Sequence, residues 1–195
     1  IIGISIIGLF LGKVTDLVLA LNSQRRRGLK AMDSNVDLII AGYPGEQKLR
    51  QLVAELRCDS RYEDKVVVSV SNRLLEKSPW MGELDIECVY GVASDSDVLR
   101  RAGIESASTV LMLARDPEQI ESDDFSVAVC LVVEQMNPAA RTIVERVRQD
   151  DLVFNIIKAD TVVEVSSPAV LAQEILDPGA IELQNAIFSN ATAGT

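Results

Sequence analysis

Residues 36–56 set the terms for the rest of the chain. They open with the apolar run Leu38-Ile39-Ile40, break at Gly42-Tyr43-Pro44-Gly45, and go on with Leu49, Leu52, Val53 and Leu56 at helical spacing. A strand, a glycine turn and a helix in that order begin a doubly wound α/β domain. The helix after such a turn points its first backbone N–H groups outward, where they favour an anion, often a phosphate.

The alternation continues. Residues 65–70, 87–91, 108–114, 141–146 and 161–166 read as five further strands. Between them the spacing predicts a short helix over 95–102, capped by Ser94 and ended by Gly103. A long helix opened by Ser122 follows, with Phe125, Val129, Val132 and Val133 inward and a stop at Asn137-Pro138. Residues 150–159 and 168–176 complete the helical set, the last with Pro168 at its start. Strands separated by helices make a parallel six-stranded sheet with right-handed crossovers. Composition agrees: 48% of residues are apolar but only 4% aromatic, so the core must be built from Val, Ile, Leu and Ala.

Charge and residue types exclude several functions. A net charge of −10 argues against nucleic acid as a partner, which needs a basic surface. The absence of histidine removes His-dependent triads, the common zinc sites and imidazole bases. Cys58, Cys88 and Cys130 have no CxxC spacing and read as reduced thiols in a cytosolic setting, with Cys88 and Cys130 inside apolar runs.

Residues 1–21 are different in kind. The uninterrupted apolar part runs only to Gly12, shorter than the roughly 20 residues a bilayer span needs. It fits a buried helix of a soluble protein, or the tail of a membrane helix whose first half lies upstream in a longer chain. The second reading is favoured. Gly3, Gly8 and Gly12 suit close helix packing in lipid, and Arg25-Arg26-Arg27 suits a cytoplasmic flank. The expected organisation is a membrane-helix end at 1–21, a basic linker at 22–35, the α/β domain at 36–176 and the start of a following subdomain at 177–195. Residues 22–195 would then be cytosolic.

Candidate ligand residues gather at the carboxyl ends of the strands, where such sheets bind. They are Gly42, Tyr43, Pro44 and Gly45 in the first turn, Ser71, Asn72 and Arg73 after the second strand, Gly91 after the third and Ala114 after the fourth. The turn matches the GxGxxG dinucleotide fingerprint only in part. Gly42 fills the first position, Pro44 stands in the second without an N–H, and Gly45 falls one place late. The acid expected after the second strand to bind ribose hydroxyls is replaced by Ser71-Asn72-Arg73, where Asn72 suits a ribose and Arg73 a phosphate. For a divalent cation the candidates are Asp95, Asp116 and Glu145. Acids in helix first turns also serve as caps. Glu145, in an apolar strand, needs either a ligand or a partner such as Arg146 or Arg148.

The order of these pieces resembles the RCK (regulator of K⁺ conductance) domain, also called TrkA-N or KTN. The resemblance is carried by Leu38-Ile-Ile-Ala-Gly42-Tyr43, by Val89-Tyr-Gly91 leading to Asp97-Val-Leu-Arg-Arg-Ala-Gly103-Ile104, and by Ala107-Ser-Thr-Val-Leu-Met-Leu-Ala114. Ser122-Asp123-Asp124, Asn137-Pro138, Ile143-Val-Glu145 and Ala159-Asp160-Thr-Val-Val163 extend it, over residues 36–176. With the apolar start and arginine-rich linker, the chain is similar to ligand-gated potassium channels and to channels of the Castor and Pollux type.

The resemblance implies a Rossmann-like regulatory domain, not an enzyme. Such domains pair through their last helices, here Pro168–Leu176, and assemble as a homotetrameric ring under a channel pore, with the N-terminal helix in the membrane. NAD, an adenine nucleotide or Ca²⁺ in the cleft changes the ring's shape. Glu145 matches a strand-end glutamate of calcium-gated members, and Val92 stands where many members carry an aspartate. The alternative is a soluble nucleotide-dependent oxidoreductase or nucleotide sensor.

Overall fold

The computed structural model describes residues 31–32, 35–73, 79–148 and 154–188. The membrane-helix end expected at 1–21, most of the linker and the last residues of the tail lie outside these. No helix among the described residues is long and apolar enough to cross a membrane.

Six strands form one sheet: β1 (Leu38–Ala41), β2 (Val67–Ser71), β3 (Ile86–Tyr90), β4 (Thr109–Met112), β5 (Arg141–Arg146) and β6 (Thr161–Glu164). Their spatial order is β3-β2-β1-β4-β5-β6 and every pairing is parallel. Six helices connect or follow them: α1 (Glu46–Arg57), α2 (Pro79–Glu83), α3 (Ser96–Arg101), α4 (Glu121–Met136), α5 (Pro168–Leu176) and α6 (Ala180–Phe188). The expected doubly wound, Rossmann-like parallel sheet is therefore what forms.

Side chains alternate across each strand, so β1 feeds two cores at once. Leu38 and Ile40 join Leu49, Leu52, Val53 and Leu56 of α1, Trp80 and Met81 of α2, and Leu171 and Ile175 of α5. Ile39 and Ala41 face the opposite layer, with Leu99 of α3, Val129, Cys130 and Val133 of α4, and Phe154. Each fully buried Leu or Ile contributes about 1.5–3 kcal/mol, and α1 buries all four of the residues its periodicity marked.

Local differences from the sequence reading have local causes. Helix α3 is capped by Asp95, whose carboxylate accepts from the Asp97 N–H at 2.9 Å, and not by Ser94. Ser122 lies inside α4, where its hydroxyl donates to the Asp116 carbonyl at 2.8 Å and accepts from the Asp116 N–H at 3.0 Å. Val129 and Val133 are buried as expected, but the inner face also takes Ser122, Asp123 and Ser126, while Phe125 and Val132 are half-buried. The helix expected over 150–159 is, in its described part, a single 3₁₀ turn at Phe154–Ile156. Helix α2 had no periodicity to announce it: it is five residues long and holds by burying Trp80 and Met81.

Helix α5 packs on α1. Leu171 and Ile175 are thus spent inside the domain, while α6 leaves Leu183 63% and Ile187 68% exposed, four residues apart on one face. Glu174 holds this end of the chain. Fully buried, it pairs with Arg141 at the start of β5 and accepts from Thr161 Oγ1 at 3.1 Å. It also accepts from the backbone N–H groups of Gly179 and Ile181, at 3.1 and 3.0 Å. Glu174→Gln should therefore lower unfolding stability in urea by about 3 kcal/mol, since it takes the counter-charge from the half-buried Arg141 guanidinium. Glu182→Gln on the exposed side of α6 should change it by less than about 0.5 kcal/mol.

None of the three cysteines is in a disulfide: Cys58 is exposed, Cys88 half-buried and Cys130 buried. Burial, then the nearby Glu134 carboxylate, pushes the Cys130 thiol up to about 12. A thiol-specific reagent at mildly alkaline pH should titrate Cys58 rapidly and Cys130 only after denaturant is added.

Candidate functional site

The strand order reverses between β1 and β4, which opens a crevice beyond their carboxyl ends. Four strand ends meet along its rim. The Leu113 N–H donates to the Ala41 carbonyl at 2.8 Å, Gly42 N–H to Val70 at 3.1 Å, and Gly91 N–H to Ser71 at 3.2 Å. Gly42, Ser71, Gly91 and Ala114 are thus brought to one edge, as the sequence reading placed them.

Gly42 is demanded by its neighbours. Its φ is +98°, and a Cβ there would lie 2.5 Å from the Leu113 carbonyl oxygen. Gly91 is similarly constrained, with φ at +154° and a Cβ position 2.5 Å from Val98 Cγ2. Gly45 has φ at +129° and open space around it, and it caps α1 without any side chain bonding the helix's first N–H groups. Those groups remain available to an anion. Pro44, half-buried, contributes none. Tyr43 leans into the α1 core, and burial, then Glu46 and Cys88, raises its phenol pKa.

At the end of β2, Ser71 is buried and its Oγ accepts from the Arg73 N–H at 3.0 Å, while Asn72 and Arg73, beyond the strand, are exposed. Beyond β4 comes Arg115, which the sequence reading did not single out. Its guanidinium carbon lies 3.9 Å from the centre of the Phe125 ring, a cation–π contact. Burial, then the charge of Arg73, disfavours its protonated form. Position alone could have flagged it, because residues directly after a strand of a parallel sheet face the crevice.

Glu145 is buried and saturated. It accepts from Lys48 Nζ at 2.6 Å, from the Ala114 N–H at 3.1 Å and from the Ser166 N–H at 3.1 Å. Neither expected arginine is its partner: Arg146 lies 3.6 Å from Glu164 and Arg148 3.5 Å from Asp124. Successive strand residues point to opposite faces, so the partner comes from α1 instead. Asp95 caps α3, and the Asp116 carboxylate accepts from the Glu118 N–H at 3.0 Å. Among the described residues no three carboxylates or thiols converge to hold a metal ion.

The carboxyl edge of the sheet thus carries an uncapped helix N-terminus after β1 and an arginine after each strand beside it, Arg73 after β2 and Arg115 after β4. The chain belongs to the TrkA-N domain family, whose model matches residues 38–165. Among solved structures the fold is similar to GsuK bound to ADP (20% identity, TM-score 0.56, 75% of this chain and 37% of that one). It is also similar to the GsuK channel bound to NAD (19%, TM-score 0.53, 80% and 27%) and to the human SLO3 gating ring (15%, TM-score 0.53, 81% and 30%). The chain thus spans little more than a third of those proteins at most, and at these identities the likeness is one of fold. No curated protein matches the sequence.

If the close approach at Gly42 shapes the crevice, Gly42→Ala should destabilise the domain more than Gly45→Ala. Gly45→Ala meets backbone strain alone, of order 1–3 kcal/mol, whereas Gly42→Ala adds a clash with the Leu113 carbonyl. Urea midpoints of the two variants check the order.

Proposed function

We propose that this domain is the ligand-sensing part of the gating ring of a potassium or related cation channel, and that it couples nucleotide binding and ring assembly to pore opening. The observation that carries the reading is a TrkA-N domain whose α1 has no side-chain N-cap after β1, with Arg73 and Arg115 after the two strands beside it. The names of the similar structures, a channel bound to NAD and a gating ring, support it.

On this reading residues 1–21 end a pore-lining helix and the arginine-rich segment after them lies at the cytosolic surface. The domain acts without catalysis. Subunits pair through the end of the chain. Because Leu171 and Ile175 are already buried, the pairing face extends from Pro168–Leu176 to α6, where Leu183 and Ile187 are free of the domain's own core. Coupling requires only that ligand bind one ring shape more tightly than another.

The test uses the whole parent protein in potassium-loaded vesicles, with calorimetry of ADP, NAD and Ca²⁺ alongside. ADP or NAD should bind and should change the potassium efflux rate. Nucleotide binding with unchanged efflux would retire the gating role and keep the sensor.

A further inference from the structure

The glycine turn is poorly equipped for a pyrophosphate. Pro44 offers no N–H, and Glu46 places a carboxylate in the first turn of α1. Positive charge stands to either side instead. Arg73 follows β2 and Arg115 follows β4, the two neighbours of β1. Arg73 Nη1 reaches to 3.4 Å from the Arg115 carbonyl oxygen, and its charge bears on the Arg115 guanidinium. Among the described residues neither arginine is in an ion pair.

The position after β2 is the one from which this fold reads the adenosine ribose. An acid there accepts from the 2′- and 3′-hydroxyls, whereas an arginine suits a phosphate on the 2′-oxygen. Here that position holds Asn72 and Arg73 with no acid. Ser71 Oγ, which accepts from the Arg73 N–H, keeps its own hydroxyl hydrogen to donate. Val92, 40% exposed just after β3, adds an apolar surface of the kind that packs on a base.

We propose that the crevice takes an adenosine nucleotide phosphorylated on the ribose 2′-oxygen, with Arg73 and Arg115 bracketing that phosphate and Ser71 and Asn72 at the ribose. The assignment rests on the nucleotide-crevice reading above and names the ligand class within it. It makes recognition depend on the ribose phosphate more than on the pyrophosphate, which matches a turn that has lost a donor.

Calorimetric titration of the 195-residue chain with 2′-AMP, 5′-AMP, NADP, NAD and inorganic phosphate tests it. The expected result is 2′-AMP at least about tenfold tighter than 5′-AMP, and NADP likewise over NAD, from charge-assisted contacts to the extra phosphate. Arg73→Ala, at an exposed site, should erase that preference without moving the urea midpoint. Arg73→Asp should turn it toward NAD. Equal or tighter binding of 5′-AMP and NAD would overturn the 2′-phosphate assignment and leave the nucleotide crevice standing. So would a preference that survives Arg73→Ala, or inorganic phosphate binding as tightly as 2′-AMP. Silence toward every nucleotide would remove the crevice reading itself.

Discussion

The domain hangs on one buried carboxylate. Glu145 sits at the end of β5 and collects a lysine from α1, a backbone N–H from the end of β4 and another from just beyond β6. A charge taken out of water costs several kcal/mol unless its lone pairs are filled, and here they are filled by three separate elements. The result is a junction that holds the first helix and the last three strands in register. Glu174 does the equivalent work at the opposite ends of β5 and β6, through Arg141 and Thr161. Two saturated acids at the two ends of neighbouring strands leave that half of the sheet little freedom to shear.

The same junction shapes the crevice. By drawing Lys48 down to Glu145, it commits the first cationic side chain of α1 to the core instead of to a ligand. By holding the Ala114 N–H, it turns the chain after β4 so that Arg115 comes onto the Phe125 ring and toward Arg73. An acid that resembled a cation ligand in the sequence thereby has its oxygens taken up by Lys48 and two backbone N–H groups.

How much of this was legible beforehand follows from range. The strands and α1 were readable because hydrophobic period is local; α1, β1, β2 and β4 buried the residues their spacing marked, while the edge strands β3 and β6 buried theirs in part. Gly42 and Gly91 were readable as turn residues, though the reason each must be glycine, a carbonyl from β4 and a valine from α3, needed the folded sheet. The partner of Glu145 was not readable: Lys48 is far away in sequence, and the arginines beside Glu145 were the nearer guess. Helix α2 escaped because five residues carry no period, and Asp95 displaced Ser94 as a cap because either residue type can serve. The membrane tether expected at residues 1–21 lies outside the described residues, and the cation set of Asp95, Asp116 and Glu145 is dispersed over three separate hydrogen-bonded roles.

The packing of α5 on α1 has a consequence for biosynthesis. Helix α1 leaves the ribosome well before α5, which covers it, so Leu49, Leu52 and Leu56 wait with water on them while more than a hundred further residues are made. Contacts this distant along the chain close slowly, and an amphipathic segment without its lid invites chaperones. The expected consequence is a domain that matures after translation ends, so that truncations anywhere before α5 leave a sticky intermediate and not a smaller version of the fold.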